Sequence, residues 1–207
     1  LDSFKNGIYK LIDDYNYHNY IGIYFMVALP NTPFGDPEYL KKYGIQLAET
    51  APCFFHHEHP EKLMEDTNQI VVGSNAMPYS DFLEACGWKW FMMTFHFLGW
   101  TRLIALDQPT CRMFYTYLFD WAMVYKGFIY EEHMTTMELM DGVFDHKIPW
   151  GRKVEGAGNT YWEYEEATSI EIVKNKDQFY DEVFSFIGDY DLVERQSLAM
   201  REPGDNL

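Results

Sequence analysis

The sequence predicts an α+β chain, mostly helical, whose α/β beginning gives way near residue 78 to a helical region. Three observations predict it. Tyr20 to Leu29 (YIGIYFMVAL) is apolar on both alternating sets, the pattern of a strand covered on two faces. Ser80 to Leu106 is apolar nearly all round at helical length, the pattern of a central helix. Beyond Pro109, apolar residues recur at helical spacing to about residue 187.

In chain order, residues 4 to 17 place Ile8, Leu11, Ile12 and Tyr15 on one helical face. Pro30-Asn31-Thr32-Pro33 stops the strand that follows, because proline cannot continue a ladder and restricts the residue before it. Helix, buried strand and exit loop make half of an α/β unit, and ligands collect at the C-terminal ends of such strands. Asp36-Pro37 opens a short helix in cap-then-proline order, and Gly44 closes it. Residues 45 to 78 are less regular, with a short strand over Gln69 to Val72 and a turn at His56-His57-Glu58-His59-Pro60. Ser80 or Asp81 caps the long helix, and Pro109-Thr110 restarts the chain ahead of a stripe of Phe114, Tyr117, Leu118, Trp121 and Tyr125. Helices follow around 130 to 144, 163 to 173 and 177 to 187, with a glycine-bearing loop at Gly151 to Gly158 and a frayed tail over 201 to 207.

Composition bounds the partners. Among 207 residues, 16 Lys+Arg stand against 32 Asp+Glu for a net charge of −16, which argues against phosphate-binding surfaces and anionic lipid. Hydrophobic residues at 47% and charged residues at 23% exclude general disorder. The 18% aromatic share implies an aromatic core or an aromatic-lined pocket. Cys53, Cys86 and Cys111 have no ligand spacing and read as free thiols in a reducing cytoplasm. The most apolar run, Trp90 to Thr101, is closed by Lys89 and Arg102 and falls short of the ~18 residues a membrane span needs. The chain opens Leu1-Asp2-Ser3 with no signal pattern and no initiating methionine, so it reads as a piece of something longer.

Chemistry-bearing residues are few. His56, His57, Glu58 and His59 are the densest ligand set, but consecutive side chains diverge and cannot all face one ion. His96 lies among Phe95, Phe97 and Trp100, either as a buried neutral imidazole or as a group in an aromatic pocket. His133 follows Glu131-Glu132 on a helix, without the recurring E-x-x-H of a carboxylate-bridged di-iron site. There is no nucleophile elbow and no phosphate loop. The residues by themselves name no reaction.

The run GIYKLIDDYNYHNYIGIYFMVALPNTPFGDPEYLKKYGI from Gly7, followed by Ile70-Val71-Val72-Gly73-Ser74-Asn75-Ala76-Met77-Pro78, resembles the end of the radical S-adenosylmethionine barrel in cobalamin-binding radical enzymes. Leu29-Pro30-Asn31-Thr32-Pro33, Asp36-Pro37-Glu38-Tyr39 and Lys42-Tyr43-Gly44-Ile45 carry the likeness, which runs in order from residue 7 to about 105. It implies residues 1–45 as the last helix, strand and exit loop of an α/β barrel, 46–78 as an irregular connection, and 79–207 as a helical C-terminal domain. It further implies that Ala28, Leu29, Pro30 and Asn31 approach the adenosyl group. Trp88, Trp90 and His96 would wall a substrate pocket. The parent would use S-adenosylmethionine, a [4Fe–4S] cluster and cobalamin, for methylation or related radical chemistry. The CxxxCxxC loop of that family is missing here, so the chain alone would be inactive and bind none of these cofactors. Its partners would be the upstream barrel and cobalamin domains, with self-association through residues 20–29 as the way to cover an orphaned barrel edge. Two other readings stay open: a stand-alone acidic helical interaction module, and a small metalloprotein using His56, His57 and His59.

Overall fold

The computed structural model describes residues 1–51, 55–56, 67–145 and 150–200. Helix α1 (Asp2–Tyr9) runs into a wider π-helical turn, Lys10–Asp14, closed by Tyr15 N–H donating to the Lys10 carbonyl at 3.1 Å. The expected face is therefore split. Ile8 and Ile12 are buried while Leu11 and Tyr15 are exposed, because a π turn shifts the angular phase of every residue after it.

Residues 20–29 correct the expectation of a strand buried on both faces. They lie in extended backbone with one isolated antiparallel bridge, Val27 to Ile70, made by Ala28 N–H to the Gln69 carbonyl (2.7 Å) and Val71 N–H to the Met26 carbonyl (2.9 Å). Only one apolar set is covered in part. Ile21, Ile23 and Phe25 are half-buried, whereas Tyr24 is 87% exposed and Met26 and Leu29 exceed half. A strand has two open edges and two faces, and the described residues supply a single neighbour along a short stretch. That neighbour is β2 (Asn68–Gly73), which pairs antiparallel with β1 (Gln46–Thr50) in register Leu47 to Val71 and Thr50 to Asn68. Between residues 20–29 and β1 the chain forms helix α2 (Pro37–Tyr43), whose Asp36 cap accepts from Glu38 N–H at 2.9 Å. Gly44 ends it at φ 60°, the left-handed conformation glycine adopts without strain.

The long apolar helix is broken. Helix α3 (Tyr79–Met92) widens into a π turn, Met93–Phe97, and the chain reverses at Gly99 (φ 97°) before α4 (Arg102–Leu106). Burial is as expected: every residue from Trp90 to His96 has 0% exposure. Thr110 caps α5 (Cys111–Tyr125) by accepting from Met113 N–H at 3.1 Å. Its buried residues are Cys111, Phe114, Tyr115, Leu118 and Ala122: Phe114 and Leu118 are buried as expected, whereas Trp121 is half-buried and Tyr117 and Tyr125 face solvent, so the stripe turns toward Tyr115. Helices α6 (Phe128–Phe144), α7 (Tyr164–Lys174) and α8 (Lys176–Ile187) lie close to their expected spans, and α9 (Tyr190–Ala199) adds a helix that the sequence pattern had not singled out. The class is thus α+β, mostly helical, with a small two-stranded antiparallel sheet. Among the described residues no helix is long and apolar enough to cross a membrane.

The chain divides into two interleaved units. One comprises Gly22–Lys89 and Thr135–Ala167, and the other Asp2–Ile21, Trp90–Met134 and Thr168–Leu207. The first centres on Phe25, whose ring lies 5.1 Å from Trp150 and 5.8 Å from both Phe82 and Phe144. The second centres on Trp90, Phe91, Phe95, Tyr115 and Phe179, ring on ring. At its α6 end, the buried Glu182 carboxylate accepts from Phe128 N–H and Ile129 N–H (3.2 Å), filling the role of a helix cap from α8.

Candidate functional site

The exit loop after residue 29 is held by two donors to one carbonyl. Thr32 N–H and Thr32 Oγ1–H both reach the Leu29 oxygen, at 3.0 and 2.8 Å. Gly35 then passes so close that a Cβ there would stand 2.5 Å from the Pro30 oxygen and 2.7 Å from the Leu29 oxygen. Only glycine fits such an approach. The loop and the start of β2 enclose a cleft of about 360 Å³ whose walls include Ala28, Leu29, Pro30, Thr67, Asn68 and Gln69. Its size falls within the roughly 300–1,000 Å³ of small-molecule sites. Small apolar side chains, two side-chain amides and a hydroxyl, with no charged side chain among them, make a largely polar but uncharged lining that suits a neutral group read by hydrogen bonds. Three of the four residues expected at the adenosyl group therefore share one cleft, and Asn31 is not among its walls. Thr67, Asn68 and Gln69 were not expected there. Of these, Gln69 alone carried a sequence signal, as the start of the short strand expected over Gln69 to Val72.

The other expected site residues lie elsewhere. Trp88 is buried in the first unit; Trp90 and His96 are buried in the second. Trp90 Nε1–H donates to Thr168 Oγ1 (3.1 Å), and that hydroxyl donates to Glu132 Oε2 (2.8 Å), so a buried carboxylate anchors the indole through one threonine. His96 has both ring nitrogens engaged, Nδ1 with Tyr115 Oη at 3.1 Å and Nε2 with His18 Nδ1 at 3.2 Å. Burial, and after it the electrostatic influence of His18 and Arg102, hold the His96 pKa down to about 3, so the His96 imidazole is neutral at physiological pH. His18 and Tyr115 escaped sequence reasoning: one follows a helix end, and the other sits one position off the expected stripe.

His56 adopts φ 62° and brings Nε2 to 2.6 Å from Glu166 Oε2, half-exposed. His57, Glu58, His59 and Cys53 lie outside the described residues. Nearby in the chain, Lys89 Nζ donates to the buried Glu165 at 3.2 Å, and burial followed by the charge of Glu165 raises the Glu163 carboxyl. Among the described residues no group of three or more His, Cys, Asp or Glu is arranged to hold a metal ion. A second cleft, of about 560 Å³ between α8 and α9, has an acidic rim of Asp177, Asp181 and Glu194.

No family model matches the chain. Over 106 residues, half of its length, the chain is 28% identical to the cobalamin-dependent radical SAM methyltransferase TokK of Streptomyces tokunonensis, and that stretch spans 15% of the relative. The likeness is consistent with a related origin.

Proposed function

We propose that this chain is the C-terminal portion of a cobalamin-dependent radical S-adenosylmethionine enzyme, with methylation as its reaction class. The observation that carries the reading is the 28% identity over 106 residues to an enzyme of that description. The cleft at Ala28, Leu29 and Pro30 supports it, because the walls offer apolar surface and neutral hydrogen-bonding groups to an adenosyl moiety. In this reading residues 1–45 end the barrel, 46–78 connect, and the helical region covers the substrate. The chain acts only with the upstream barrel and cobalamin domains of its parent.

The cluster does not fit the thiols among the described residues, Cys86 and Cys111. Iron–sulfur ligation requires thiolates, whereas burial pushes the Cys86 thiol up to about 12, and burial followed by Asp13 does the same to Cys111. No radical step is therefore assigned to this chain. After anaerobic reconstitution with iron and sulfide it is expected to hold no stoichiometric cluster, which iron analysis and visible absorption check. The wider reading is tested by the reading frame upstream of Leu1. A CxxxCxxC triplet there supports it, and an in-frame stop with no such triplet removes it. Self-association through residues 20–29 belongs to the same proposal, since Tyr24, Met26 and Leu29 present apolar surface that a preceding barrel strand or a second copy would cover.

A further inference from the structure

His18, His96, Tyr115, Thr101 and Phe95 share one hydrogen-bonded network inside the second unit. The π turn makes it possible. Leu98 N–H reaches back to the Met93 carbonyl (2.8 Å) and Thr101 N–H to the Phe95 carbonyl (2.9 Å), so the Phe95 oxygen is turned toward the loop with one lone pair to spare. Two hydroxyls compete for that lone pair: Thr101 Oγ1 at 3.2 Å and Tyr115 Oη at 3.4 Å. Each hydroxyl also has a second choice. Tyr115 Oη faces His96 Nδ1 at 3.1 Å, and Thr101 Oγ1 faces Tyr115 Oη at 3.5 Å.

Donor and acceptor counts then allow two complete arrangements. With both imidazoles neutral, Tyr115 donates to His96 Nδ1, His96 Nε2–H donates to His18 Nδ1, His18 Nε2–H donates to Asn16 Oδ1 (2.8 Å), and Thr101 donates to Phe95. With one added proton, His18 Nδ1–H donates to His96 Nε2, His96 Nδ1–H donates to Tyr115, Tyr115 turns to Phe95, and Thr101 turns to Tyr115. The bond from His18 to Asn16 is kept. Every group is satisfied in both states, and they differ by one proton on His18 and by the tautomer of His96.

We propose that this network is a two-state proton switch, in which protonation of His18 inverts the His96 tautomer and swings the Tyr115 hydroxyl from His96 to the Phe95 carbonyl. The surrounding groups keep the proton at its outer end. Arg102 donates to the His18 carbonyl at 3.0 Å and places its positive charge beside His96. Tyr9, Cys111 and Arg102 act on Tyr115, which burial keeps in the phenol form, and Asp13 is occupied by Cys111 N–H (2.9 Å) and Arg112 N–H (3.1 Å). Because the phenol keeps its proton, His96 exchanges its own with water only when His18 swings aside. Asn16, at φ 50°, keeps its hold on the outer nitrogen of His18 in both end states.

Long-range ¹H–¹⁵N spectra of the histidine-labelled full chain, taken from pH 8 to pH 5, test this without any variant. The expected result is that His18 becomes an imidazolium while His96 stays neutral and changes from the Nε2–H to the Nδ1–H tautomer, with one shared midpoint. A single His96 tautomer throughout, or an imidazolium at His96, overturns it. In Tyr115→Phe the inner acceptor is gone, Nδ1–H becomes an unmet buried donor, and the midpoint of the pair is expected about one pH unit lower. An unchanged midpoint in a folded variant overturns the proposal equally.

Discussion

Two apolar runs of this chain, Tyr20 to Leu29 and Trp90 to Phe97, look alike in sequence and end oppositely. Every residue from Trp90 to His96 is fully buried, while Tyr24 is 87% exposed and Met26 and Leu29 are more than half exposed. The difference lies in where the backbone finds its hydrogen bonds. The helical run closes its own peptide groups, so burying it asks only for side-chain partners, and rings such as Phe91, Phe95 and Phe179 supply them. The extended run needs another strand along each edge and finds, among the described residues, one bridge, at Val27. Hydrophobicity decides burial only after the backbone is satisfied.

The largest effect that would break this contrast is in the helical run. Phe97→Ala is expected to cost about 3–5 kcal/mol in urea unfolding; a cost below about 1 kcal/mol would show that the π segment is not core. Acid comes next. The His96 pKa is depressed to about 3, below its unfolded value of 6.5, so its contribution is present above pH 6.5 and is lost as pH falls. Stability at pH 5 should be lower than at pH 7.5 by about 2 kcal/mol from this group, and His96→Leu should flatten that dependence in thermal melts read across pH. In the extended run, Phe25 is the anchor. Phe25→Ala should release the bridge and lower hydrogen-exchange protection of the Val71 amide by about tenfold, or about 1.4 kcal/mol, while leaving the amide of Phe95 unchanged. The smallest effect is expected from Met26→Lys with Leu29→Lys, within about 0.5 kcal/mol of the parent chain. Light scattering of the same double variant sharpens the point: if residues 20–29 pair between copies, it should be monomeric at concentrations where the parent chain is not.

What the sequence made legible was local. Asp36-Pro37 and Gly44 bracket α2 because cap, proline and left-handed glycine act within one turn of chain. Phe179 and Val183 are buried on α8 as their spacing implied. What escaped depends on partners far away. Gly99 breaks the long helix inside an unbroken apolar run, and nothing in its neighbours distinguishes it from a packed helical glycine. The stripe on α5 is offset toward Tyr115 because the residues packed against it, including Phe91 and His96, choose the face. Of the exit-loop cleft, Ala28, Leu29 and Pro30 came from family likeness, while Asn68 and Gln69, with Thr67 just before them, open a strand whose pairing no local pattern announces.

The glutamate that caps α6 carries a consequence for how the chain is made. Glu182 lies 54 residues beyond Phe128 and 53 beyond Ile129, whose amides it receives. During synthesis α6 leaves the ribosome with its first turn open, and it waits for α8 before that turn can close. The same delay holds for the whole second unit, whose three stretches are separated by the two stretches of the first. Its closure waits until α8 and α9 have been made, with aromatic surface unburied until then.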